Sequence, residues 1–450
     1  MANDKDFVVA GAVEVGKDTK VTLGTVTSNN IDLATGNYFA DTPTGTSTYT
    51  ISNAGDVQSF QLEVTGGTAA VASTFSTTLY TGTGNSLPIV NNIDLAGDGG
   101  LVWTKRRNSA NSNWFLDTDR GGTNIIRSNT NEAQFTSSGL EITSFNSNGY
   151  TLGTASDINS TSGNDVSWTF KKQAKFFDIV TYTGNGVTGR EIPHSLGSDV
   201  GLLIIKCTSS SNFWFTHHIS RPSGALFLDS ADAETTGSTK YYMGNDVSVI
   251  QPTSTHFTVG GSTAGTMVNG SGETYVAYLF AHDDAADGLI QCGSYTGNSS
   301  TDGPEINLGW QPQWLLIKDT TGSQGSWSIF DTARGIVTSD IDPVLQANLS
   351  NAEYTGTNYL DALLTGFKLT VGGGSYGTTQ DTHVNYTGHT YIYIAIRAAS
   401  DPDITWPSSI EWAGGIAPSA PAVGETDVYT LVTDDGGTSY VGVKTADNLS

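Results

Sequence analysis

The chain has 450 residues, enough for several domains, and its 44 acidic against 20 basic side chains give a net charge of −24; so anionic a surface repels phosphate backbones and excludes a nucleic-acid partner. Charged residues are only 14% of the chain and Gly is over-used at 53, while aromatics at 10% exclude a disordered chain and favour β-structure with many tight turns. No run of about 18 apolar residues can insert in a membrane, and two cysteines, Cys207 and Cys292, without a C-x-x-C spacing exclude a disulfide scaffold and a zinc site.

In chain order, residues 1–19 carry one short apolar stretch, Phe7 to Val13, too short for a secretory h-region, so synthesis and assembly inside a cell are expected. Residues 20–68 read as strands separated by turn signals, finishing in SFQLEVTGG. A set of landmarks then recurs three times. Tyr-Thr-Gly occurs at Tyr80, Tyr182 and Tyr295, followed by apolar strands ending at Lys105, Lys206 and Lys318, then by Trp114, Trp214 and Trp327. GYTLG, HFTVG and FKLTVG come next, ending at Gly153, Gly260 and Gly372. Alternating strands close each set: VSWTFKK from Val166, TYVAYLFAH from Thr274 and TYIYIAIR from Thr390.

A period of about 100 residues is one small domain per copy rather than a solenoid rung. The expected repeats are 77–172, 177–284 and 288–400, each a β-sandwich of jelly-roll or lectin-like type. Trp114, Trp214 and Trp327, at matching places, are expected to fill the repeat cores. Lys105, Lys206 and Lys318 each cap an apolar strand, as contact residues or as markers of its solvent end. Tyr359 to Leu364 is the stretch that reads as a helical turn. The tail, 401–450, restarts with ITWPSSIEWAGG, passes a rigid loop at Pro418 to Pro421, and places Asp434-Asp435-Gly436-Gly437 between alternating segments, a hairpin signal.

Motifs with chemical meaning are few. Gly184 to Gly189 spells G-x-G-x-x-G, but Pro193 spoils the helix that a dinucleotide site requires. Gly373 to Gly377 spells G-x-S-x-G with Asp381 and His383 behind it, yet a Gly-rich turn followed by loop and strand is not a nucleophile elbow. No catalytic residue and no organic cofactor is assigned. Ca²⁺ is the one cation considered, at Asp283, Asp284 and Asp287, because hard cations favour clustered carboxylates; Asp94, Asp98, Asp117 and Asp119 read as solvated turn residues. His217 and His218 are adjacent, face opposite sides of a strand and cannot pinch one metal. The loop aromatics Tyr241, Tyr242 and Tyr376 are the candidate ligand contacts.

The repeats, with NNIDLAGDGGLVWTKRRN, SFNSNGYTLG, YTGNGVTGREIPHSLG and GETYVAYLFAHD, resemble a module of structural and tail-fibre-like proteins of tailed bacteriophages, particularly marine ones. The flanks, with IDLATGNYFADT, TYTISNAGDVQSFQLEVTG, ITWPSSIEWAGGIAPSAP and DVYTLVTDDGGTSYVG, resemble a second phage-fibre module, whose two stretches normally follow one another directly. The resemblance implies an all-β chain in which 20–68 and 401–450 form one discontinuous β-sandwich domain, with three tandem repeats inserted into its loop; such insertion is cheap because closure entropy grows slowly with loop length. It also implies a virion fibre or appendage subunit rather than an enzyme, homotrimeric by analogy. Residues 1–19 would bind other virion proteins, and the repeats would face a host-surface glycan or protein, with no membrane insertion. A head-decoration or spacer protein without receptor binding stays open, as does a polysaccharide depolymerase, which needs two carboxylates about 5–9.5 Å apart. A bacterial surface adhesin is weakened by the missing signal sequence.

Overall fold

The computed structural model describes residues 24, 26–27, 29–41, 47–65, 70–138, 140–261, 266–285, 288–322, 325–336, 341–371, 384–398, 404–413, 415–418 and 426–449. The chain is all-β, with several sandwich-like sheets. The α-helices among the described residues, Ser156–Asn159, Thr239–Tyr242 and Thr266–Asn269, are single turns. The stretch expected to be a helical turn, Tyr359 to Leu364, is instead a strand, Leu360–Leu363, paired with Gly366–Leu369. Its successive residues alternate between buried (Leu360, Ala362) and half-buried (Asp361, Leu363), and that period-2 pattern is a strand's.

Two compact units emerge: residues 1–70 with 399–450, and residues 71–398. In the first, a five-stranded sheet runs in the order Tyr38–Asp41, Gln58–Thr65, Thr426–Thr433, Tyr440–Leu449, Ile410–Trp412. Gln58–Thr65 pairs antiparallel with Thr426–Thr433, so strands more than 350 residues apart in sequence are hydrogen-bonded neighbours. Every second residue of Thr426–Thr433 is buried, and Phe39, Phe60, Leu62, Tyr429, Leu431 and Tyr440 build the core. Trp406 packs edge-to-face on Tyr429 and Trp412. The tail hairpin forms at Asp434 to Gly437: Gly436 and Gly437 take φ of 72° and 82°, and Asp435 accepts from Thr433 and Ser439.

In the second unit one strand order appears three times. The first segment has a six-stranded sheet ordered Phe135–Thr136, Asn124–Arg127, Asn113–Asp117, Gly100–Arg106, Asn164–Lys171, Phe75–Thr81. The second follows the same order with Thr235–Thr236, Gly224–Phe227, Phe215–His218, Val200–Cys207, Thr274–Ala281, Phe177–Thr183. The third keeps Leu345–Gln346, Ser328–Asp331, Pro312–Asp319, Thr390–Arg397, Ile290–Thr296. Smaller sheets pack on one face, enclosing cores such as Val102, Leu116, Tyr150 and Leu152 in the first segment and Leu315, Phe330, Phe367 and Tyr391 in the third. Gly149 and Gly366 open matching strands of these smaller sheets with φ of 141° and 159°. At Gly366 a Cβ would lie 1.8 Å from the Ile306 carbonyl oxygen, so only glycine allows that pairing.

The central strands do not alternate between buried and exposed. Gly100–Arg106 and Val200–Cys207 are buried on both faces. The reason is that the larger sheets pack against one another across the segments: Trp103 meets Trp314, Phe170 meets Phe280, and Phe115 meets Tyr278 and Trp214, with ring centroids 5.2–6.3 Å apart.

Candidate functional site

Charge in this interior is organised by three lysines. Lys105, Lys206 and Lys318 are at most 1% exposed, so they do not mark solvent ends of strands. Each ammonium instead donates to main-chain carbonyls of another segment. Lys206 Nζ reaches Asn131 of the first segment at 3.0 Å. Lys318 Nζ reaches Ala231 and Asp232 of the second at 3.2 and 2.9 Å. Lys105 Nζ reaches Ser350 of the third at 2.9 Å. First holds third, second holds first, third holds second: the contacts close a ring. Three backbone bonds repeat the sequence, Gln134 N to Thr208 O, Glu234 N to Thr320 O and Glu353 N to Arg107 O. Burial lowers the lysines' pKa, to about 7 for Lys105 and about 8 for Lys206 and Lys318.

The tryptophans follow the same cycle, with one exception. Trp214 Nε1 donates to Thr130 O and Trp327 Nε1 to Phe227 O, both 2.9 Å, each into the neighbouring segment. Trp214 directly precedes strand Phe215–His218, in which Ile205 pairs with Phe215; Trp327 likewise precedes Ser328–Asp331, in which Ile317 pairs with Ser328. In the first segment Asn113 is the residue opposite Lys105, and its Nδ2 donates to Gln346 O and Leu349 O at 2.9 Å. Trp114 is one residue out of phase. A one-residue slip turns a side chain to the opposite face of a sheet. Although all three tryptophans are buried, Trp114 therefore lies on the side of the first segment's own core and is not the counterpart of Trp214 and Trp327.

The carboxylates of the recurring Asp-Thr-x-Arg-Gly stretch are also structural. Asp117 and Asp331 are fully buried, accept from Arg120 Nε and Arg334 Nε at 2.7 and 2.6 Å, and accept across a seam from Tyr278 Oη and Trp168 Nε1. Asp117 is thus not a solvated turn residue. Asp119 pairs with Lys172. His218 occupies the corresponding place in the second segment, with Nε2 3.0 Å from Tyr393 O. Burial drives His217 and His218 down to about 3 and about 4, so both rings are neutral at pH 7.

A pocket of about 440 Å³ opens where the first segment meets the third. Trp114 and Phe135 form its apolar wall, and Arg127 sits 4.9 Å above the Phe135 ring and 6.0 Å from Trp114. Ser112, Asp157 and Ser350 supply polar groups at its rim. Its floor is held by Asn111, whose Oδ1 accepts from Trp114 Nε1 and Ser112 N and whose Nδ2 donates to Asp157 O. The residues reach this place because Trp114 and Arg127 are cross-strand partners. Motif reading passed over Arg127 and Asp157; the slip of Trp114 against the Asp-Thr-x-Arg-Gly stretch was the signal available.

The residues singled out in the sequence are scattered. Tyr242 is 8% exposed and packs on Phe215, so it is not a ligand contact. Tyr241 is half-buried, with Lys240 Nζ 5.2 Å from its ring. Tyr376 lies outside the described residues, as do the G-x-S-x-G stretch, Asp381, His383, Asp287 and residues 1–19. Asp283 accepts from Ala285 N, a turn contact. The described residues contain no group of three or more His, Cys, Asp and Glu able to hold a metal. The G-x-G-x-x-G turn leads into strand Arg190–Pro193, not a helix. Among the described residues no helix is long and apolar enough to cross a membrane.

Residues 71–400 match a family described as a domain of unknown function (DUF7483). No curated protein matches the chain.

Proposed function

The chain belongs to the DUF7483 family, a domain of unknown function, and we propose that it is a non-catalytic structural protein of a bacteriophage virion, an appendage or fibre subunit that displays a rigid ring of three related β-sandwich modules towards the host surface. The observation that carries this reading is the ring itself. Three segments of one strand order are tied first to third, second to first and third to second by buried ammonium–carbonyl contacts. Buried charged groups held by several partners resist deformation, which suits a load-bearing display body better than a site that must open and close. The buried Asp117, Asp331 and His218 are each held in structural bonds. The resemblance of the repeats and flanks to phage-fibre modules supplies the virion setting. In this reading the unit built from both chain ends is the shaft or attachment point, residues 1–19 bind other virion proteins, and the subunit is homotrimeric.

Immunogold labelling of purified particles, with antibody raised against residues 71–398, tests the proposal. Label on tail appendages is the expected result. Label on the head would replace the appendage by a decoration role, and particles without label would overturn both. Release of oligosaccharide from host envelope polysaccharide by the purified chain would overturn the non-catalytic assignment.

A further inference from the structure

The wall beside Trp114 differs in composition from the equivalent positions described in the other segments. The cross-strand pair that forms it is Trp114 with Arg127; the corresponding pairs are Phe215 with Phe227 and Ser328 with Gln346. Phe215 and Phe227 are covered by Tyr242 and Phe213, and Ser328 and Gln346 are both buried. At this cross-strand position, among the described residues, it is the first segment that combines an aromatic and a guanidinium beside an open volume.

The chemistry of the wall narrows the ligand. Phe135 offers a half-buried ring, and Arg127, ion-paired on one side with Glu132, stays partly exposed. Asp157 is exposed, and its main-chain carbonyl accepts from Asn111 Nδ2 and Arg106 Nη2. A donor and an acceptor therefore flank an aromatic face, on a loop that Lys105 holds at Asn111 O and that Asn111 ties to the Asp157 main chain and the Trp114 ring. A polyol ring satisfies this set: its C–H face rests on the aromatic, and its hydroxyls both donate to a carboxylate and accept from a guanidinium. A simple anion would be repelled by Asp157 and Glu132, while the aromatic wall and the hydrogen-bonding groups together suit a ring that is apolar on one face and hydroxylated at its edge. We infer that this pocket binds a neutral pyranose, so that the first segment carries a saccharide site at a position where the other two segments differ. This deepens the attachment reading and rests on it for its biological setting, while the binding itself is a property of the purified chain.

The test is saturation-transfer NMR on the full chain with the methyl glycosides of glucose, galactose, mannose and N-acetylglucosamine, with glucuronic and sialic acids as anionic comparators. At least one neutral glycoside should show saturation at its ring C–H protons. Asp157→Ala and Phe135→Leu should each weaken binding about ten-fold, the equivalent of one lost polar or stacking contact, whereas Tyr241→Ala should leave it unchanged. Asp157 is exposed, so its variant keeps the test valid if the Phe135 change perturbs folding. Silence from all neutral glycosides, stronger binding of the acids, or full binding by Asp157→Ala would each overturn the inference. Phage carrying Asp157→Ala should assemble normally and adsorb poorly; saccharide binding by the chain, with particles lacking the protein, would sink the virion reading and leave the site intact.

Discussion

Replacing Lys318 by Met is the most direct probe of the ring. The ammonium is fully buried and donates to Ala231 O, Asp232 O and Asp319 O at 3.2, 2.9 and 2.6 Å. Two of these bonds cross the seam between the third and second segments. Charge-assisted bonds contribute about 1.5–3 kcal/mol each, so losing the two cross-seam bonds removes about 3–6 kcal/mol. Relief of the ammonium's desolvation offsets several kcal/mol of that, and a net loss of about 1–3 kcal/mol at pH 7 is expected. The pH dependence is more diagnostic. Burial lowers the folded pKa to about 8, from the ordinary lysine value of 10.5. Between these values the unfolded chain binds more protons than the folded one, so the Lys318 contribution makes stability rise with pH, by about 3 kcal/mol over the whole window. Urea unfolding followed by tryptophan emission at pH 7, 8.5 and 10 should show the wild-type midpoint gaining on Lys318→Met at each step. Parallel pH profiles, or a variant as stable as wild type at pH 10, would refute the buried-ammonium account of the ring.

Asp331→Ala leaves Arg334 in the interior with Glu353, 3.2 Å away, as its carboxylate partner, and removes the acceptor of Trp168 Nε1; a loss of about 2–4 kcal/mol is expected by urea denaturation. Gly366→Ala drives a Cβ into the Ile306 carbonyl at a positive φ; it should cost about 3 kcal/mol or prevent folding, seen as a lowered melting temperature or insoluble expression. Burial holds His217 and His218 at about 3 and about 4, below the ordinary histidine value of 6.5. Unfolded histidines therefore bind the extra protons, and stability should fall as pH drops from about 6.5 towards 4. His217→Leu should flatten that fall in melts at pH 7, 5.5 and 4.5, and an unchanged acid slope would contradict neutral burial of the ring.

Sequence alone determined the fold class, since Thr, Val, Tyr and Trp in short alternating runs between Gly, Asn and Asp turns leave little choice but strands. The tail hairpin was legible for the same local reason: Asp435 and two positive-φ glycines specify a turn without help from elsewhere. The landmarks Tyr80, Tyr182 and Tyr295 were visible too, though not their shared role, which is to donate to the carbonyls of Ile158, Val268 and Val384. Those acceptors lie 78, 86 and 89 residues away. Tertiary structure decided what depends on distant partners. A lysine at the end of an apolar strand looks like a solvent marker until the carbonyls of another segment receive its charge, as at Lys105, Lys206 and Lys318. A recurring tryptophan looks like one conserved position until pairing shows that Trp114 has slipped by one residue and turned to the other face. Linear spacing counts residues, whereas burial and recognition depend on register and on which sheet lies opposite; here both are settled by strands and carbonyls many tens of residues away.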